Sequence, residues 1–98
     1  MTAPSIAAPR GPARDTMSLK LLVRHWSERT GVQPKTVQVR LMKNKLASCS
    51  TAGRITLNRK LIKEPRKIQD YVIVHELVHL KVPNHGKLFK AMLAAHLG

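Results

Sequence analysis

The chain predicts an α+β fold, and three observations carry that prediction. Apolar residues recur every three to four positions near the N-terminus, every second position through the middle, and every three to four again toward the C-terminus. The links between these stretches are short and hold Gly, Asn and Pro, which favours strands joined by tight turns. The length of 98 residues, 43% of them hydrophobic, suits one small core.

Residues 1–16 are expected to form a disordered tail, and residues 17–98 a single domain. Pro4, Pro9, Gly11 and Pro12 interrupt the tail, which leaves nothing periodic to bury. The first helix follows, with Ser18 as its expected N-cap. Leu19, Leu22, Val23 and Trp26 sit at i, i+3, i+4 and i+7 and make one apolar stripe. Gly31 suits the stop, and Pro34 prevents continuation.

The period then drops to two. Val37, Val39 and Leu41 alternate with Thr36, Gln38 and Arg40, as in a half-buried strand. Lys43-Asn44-Lys45 reads as a turn, Leu46 to Ser50 as a short strand, and Thr51-Ala52-Gly53 as a second turn. Ile55 and Leu57 alternate with Arg54, Thr56 and Asn58 in a further strand. A small antiparallel sheet of about three strands is expected.

A second helix starts near Glu64 and Pro65 and runs through Ile68, Tyr71, Val72, Val74, Leu77, Val78 and Leu80. It is apolar nearly all round, so it should be central and buried. Pro83 ends it. A third helix starts near Gly86 and carries Leu88, Phe89, Met92, Leu93 and Ala95.

Lys and Arg number 18 against 5 Asp and Glu, for a net charge of +13. Arg10, Arg14 and Asp15 are the only charges of the tail, so nearly all of the excess lies in the domain. An anionic partner or environment is implied. Cys49 is the single cysteine, which gives no support to an oxidising compartment and favours a cytoplasmic setting. No apolar run approaches the roughly 20 residues that span a bilayer, so no membrane partner is expected.

The central helix contains His75-Glu76-Leu77-Val78-His79, an H-E-x-x-H pattern. Two His four apart on a helix are about 40° apart in projection, so both imidazoles can reach one metal ion. Glu76, one position on, can reach a water on that metal and take its proton. A catalytic zinc usually has three protein ligands and an open position. No Asp or Glu follows Glu76, so no downstream carboxylate can be the third ligand. Three candidates remain: His85, His96 and Cys49. Pro83 breaks the helix and biases Val82 toward extended backbone, which lets the chain bend and bring His85 back. His96 lies near the chain end. A Cys49 thiolate with the two helical His would make a site like that of peptide deformylases.

The stretch from Met42 to Phe89 resembles the YgjP-like metallopeptidases, relatives of the SprT-like minimal zincins. The matching pieces are Ser48-Cys49-Ser50, Gly53 to Asn58, Asp70 to Leu80, and Asn84-His85 followed by Phe89. The resemblance implies a minimal zincin-like domain and a zinc-dependent peptidase acting on peptides or proteins. It implies His75, His79 and His85 as ligands and Glu76 as catalytic base. Metzincins share the spacing to the third His but use Gly in the bend; here the bend is Leu80-Lys81-Val82-Pro83-Asn84.

Other residues take lesser roles in this reading. Tyr71, one turn before His75, is expected in the core. His25 and His96 have no assigned task. Asp70 and Glu28 are the acids available to orient imidazoles. The strand from Gly53 to Leu57 is expected at a sheet edge, where an extended peptide can pair. Arg59, Lys60, Lys63, Arg66 and Lys67 gather near the start of the central helix, Lys43 and Lys45 sit in a turn, and Lys81, Lys87 and Lys90 flank His85. Two further functions compete with the peptidase. One is a basic nucleic-acid-binding module with a structural metal; the other is a deformylase-like hydrolase using Cys49.

Overall fold

The computed structural model describes residues 11–97. Its elements are α1 (Thr16–Thr30), β1 (Thr36–Arg40), β2 (Ala47–Cys49), β3 (Arg54–Asn58), a 3₁₀ turn (Arg59–Lys63), α2 (Arg66–Lys81) and α3 (Lys87–Leu97). Three helices and one small sheet make the α+β fold that the periodicities predict.

Asp15, not Ser18, caps α1. Its carboxylate accepts from the Ser18 backbone N–H at 2.7 Å, which places Ser18 inside the first turn. Those hydrogen bonds hold the Asp15 carboxyl below its ordinary pKa. Gly31 ends the helix with φ 74°, and its N–H reaches the Ser27 carbonyl. This left-handed stop is the one that Gly permits without a Cβ clash.

The sheet is mixed, not antiparallel. Its order is β1-β3-β2, with β1 parallel to β3 and β2 antiparallel to it. The reason lies in Asn58. Its amide donates to the carbonyls of Met42 at 2.9 Å and Lys45 at 2.7 Å, and its own N–H donates to Leu46 at 2.9 Å. The segment after β1 is thereby carried across the end of β3, so β3 enters between its two predecessors. Ile55, Thr56, Leu57 and Asn58 are all buried, whereas β1 alternates. The expected edge strand at Gly53–Leu57 is therefore the centre of the sheet, and β1 and β2 are its edges.

One face of α1 (Leu19, Leu22, Val23, Trp26) meets one face of α2 (Ile73, Val74, Leu77, Val78), and Ile55, Leu57 and Leu61 belong to the same buried cluster. Full burial of each such side chain contributes about 1.5–3 kcal/mol. Trp26 Nε1 donates to Asp70 Oδ1 at 2.8 Å, and Arg66 Nε donates to the same oxygen at 2.8 Å. Asp70 thus ties α1 to α2, and among the described residues it makes no hydrogen bond to His75, His79 or His85. Glu28 lies 3.9 Å from Arg24 on its own helix.

Residues 11–15, which composition assigns to the tail, lie against the domain. Ala13 is buried, and its N–H donates to Gln69 Oε1 at 2.7 Å. Gln69 Nε2 donates back to the Ala13 carbonyl at 2.8 Å and to the Leu61 carbonyl at 2.7 Å. Arg14 donates to the Ile62 carbonyl, and Arg66 to that of Gly11. The rest of the expected tail, residues 1–10, lies outside the described residues. Among the described residues no helix is long and apolar enough to cross a membrane.

Candidate metal centre

The central helix carries His75 and His79 on one half-buried side and Glu76 on the next, and Glu76 is 9% exposed. α2 ends at Val82, whose backbone is extended (φ −130°, ψ 94°), as the following Pro83 requires. The chain then turns, and α3 starts with Lys90 N–H on the Gly86 carbonyl. This bend returns His85 to the helical pair. The ring centroids are 5.3 Å apart for His75 and His79, 5.2 Å for His75 and His85, and 4.3 Å for His79 and His85.

One nitrogen from each of the three lies within 4.8 Å of the others. Zn–N bonds of about 2.0–2.1 Å need only a small closure from that spacing, and three neutral imidazoles suit zinc. The donor set therefore fits a single ion. Among the described residues this is the one such group, and neither Cys49 nor His96 belongs to it. His25 sits on α1 against Trp26, 5.3 Å between centroids. Burial, then Arg29 and Arg66, hold its pKa below the ordinary value.

Glu76 Oε2 lies 3.1 Å from His75 Nδ1. A cleft of about 560 Å³ opens between β2 and α2, with Lys45, Ser48 and Cys49 on one wall and His75, Glu76 and His79 on the other. Burial, the Glu76 charge and a hydrogen bond to that carboxylate push the Cys49 thiol up to about 11. Cys49 lies outside the group of three imidazole nitrogens, which does not favour the deformylase-like arrangement. Tyr71 is not a core residue: it is 47% exposed, with its ring 5.9 Å from that of His75. The two stand four positions apart on α2, so Tyr71 shares the open flank of His75.

Two residues of this region have no signal in the sequence periodicity. Gln69 is polar on an apolar helix, which is the only hint that it has buried partners. Phe89 reads as an ordinary core aromatic, but its ring stands against all three imidazoles.

A family model described as a YgjP-like metallopeptidase domain matches residues 13–98. The chain belongs to the YgjP-like metallopeptidase family. Solved structures agree with the assignment. This YgjP-like domain is similar to the metallopeptidase zymogen jannalysin of Methanocaldococcus jannaschii, with 27% identity over 79% of each chain and a TM-score of 0.71. It is also similar to the metallopeptidase zymogen abylysin of Pyrococcus abyssi, with 28% identity over 76% of this chain and 75% of that one, and a TM-score of 0.68. Among curated proteins there is no match. The family match begins at residue 13, so Ala13, held by Gln69, lies within the matched region of the YgjP-like domain.

Proposed function

We propose that this metallopeptidase is a zinc-dependent hydrolase of peptide bonds, with His75, His79 and His85 as the ligands and Glu76 as the general base. The convergence of three imidazoles within 4.8 Å beside a buried carboxylate carries the reading. When bound, zinc supplies Lewis acidity toward a carbonyl and lowers the pKa of water. Glu76 takes the proton of the attacking water and delivers it to the leaving amine. Its contact with His75 Nδ1 at 3.1 Å holds the carboxylate at the cleft wall. The β2 edge, which forms the other wall, takes an extended peptide by strand addition. A purely structural metal is less favoured, since such sites are usually closed by four ligands and have no use for a base.

The test joins metal content to turnover. The purified chain should hold one zinc and cleave an unfolded protein; a chelator should abolish cleavage, and added zinc should restore it. His85→Ala should bind zinc more weakly. Cleavage that survives full removal of the metal would overturn the reading.

A second reading concerns where the protein works. Residues 29–63 hold nine Lys and Arg and no acid. The Asn58 hydrogen bonds bring Lys43 and Lys45 beside Arg59 and Lys60, and Arg40 pairs in register with Asn58. Nucleic-acid backbone is a fitting anion for that end of the sheet. A labelled DNA duplex should bind at low salt, with log affinity falling by about 0.9 per phosphate contact for each log unit of salt. Lys43→Glu with Lys60→Glu should weaken it. Affinity indifferent to salt would rule the association out.

A further inference from the structure

α3 buries one of its described residues, Phe89, which is 2% exposed. The phenyl centroid lies 5.1 Å from His75, 5.1 Å from His79 and 4.6 Å from His85, with interplanar angles of 72°, 64° and 76°. Each contact is edge-to-face, the arrangement that aromatic quadrupoles favour. The cleft is walled by β2, His75, Glu76 and His79; the phenyl ring reaches the imidazoles without lining it.

We propose that Phe89 is a positioning residue for the metal centre: its ring presets three imidazoles, drawn from a helix and a bend, so that their nitrogens converge before an ion arrives. The proposal rests on the zinc reading of the site. Its physical basis is steric. An imidazole turns about two side-chain bonds, and binding an ion from a loose set costs the entropy of ordering each ring. A rigid plate in contact with all three removes alternative orientations in advance. It also couples His85, which sits on the exposed bend, to the two His of α2. Leu or Met fills similar apolar space but offers no flat face, so the three rings lose their common stop.

The measurement is metal affinity of the full chain, by competition with a chromophoric chelator for Zn²⁺ and for Co²⁺, at a temperature where circular dichroism shows each variant folded. Phe89→Leu should weaken both ions by about ten- to hundredfold, the usual loss when support around ligands is removed. The Co²⁺ absorption bands should broaden or shift. Leu22→Ala, a buried truncation on α1, serves as the control for general destabilisation and should bind as wild type does. If Phe89→Leu does not fold, Phe89→Met is read in the same way. Wild-type affinity in a folded Phe89 variant, or an equal loss in Leu22→Ala, would overturn the proposal while leaving the zinc reading intact. A wild-type chain that binds neither ion would overturn both.

Discussion

Glu76→Gln should cut peptide hydrolysis by about 10²–10⁴-fold, the typical contribution of a positioned acid–base group, and leave the metal bound. The substitution keeps the shape of the side chain. Its carbonyl oxygen can still accept from His75 Nδ1, which Glu76 Oε2 meets at 3.1 Å. What is lost is basicity, since an amide does not take a proton near neutral pH. The imidazoles themselves are unchanged, so zinc content by mass spectrometry should match wild type. Turnover of an unfolded protein is the second measurement. Full activity in the variant would remove Glu76 from the mechanism, whereas loss of zinc would mean that the carboxylate supports the ligands instead.

Gln69→Ala should cost about 3 kcal/mol or more of folding stability. Gln69 is fully buried and serves three backbone groups at once: Ala13 N–H, Ala13 carbonyl and Leu61 carbonyl. Each group left without a partner costs about 1–3 kcal/mol unless water reaches it. The total is a large share of the roughly 5–15 kcal/mol that stabilises a typical domain. For a domain near 100 residues, the thermal midpoint should fall by about 12–24 °C. The same variant should free residues 11–15, so trypsin should cut after Arg14 well before it cuts the rest. A midpoint within a few degrees of wild type would show that the three groups find other partners.

The convergence of the three His was legible because it depends on local geometry. His75 and His79 share a helix face by spacing, and Pro83 with Val82 dictates the bend that returns His85. The α+β class was legible for the same reason, since periods of 3.6 and 2 are properties of neighbouring residues. The strand order was not. It hinges on Asn58 holding carbonyls of Met42 and Lys45, a tertiary contact that leaves no periodic trace. The contacts of residues 11–15 left no such trace either. Pro12 and Ala13 look unstructured in composition, and only a glutamine 56 positions later explains why they are held. Tyr71 misled because an aromatic on an apolar helix looks like core, while the flank it occupies is left open for the histidines.

An unpaired sheet edge invites any strand, including one from a second copy of the same protein. β2 is three residues long and follows Lys43 and Lys45, on a chain of net charge +13. So short an edge offers few backbone groups for self-templated stacking, and like charges keep the copies apart. That brevity therefore guards against aggregation.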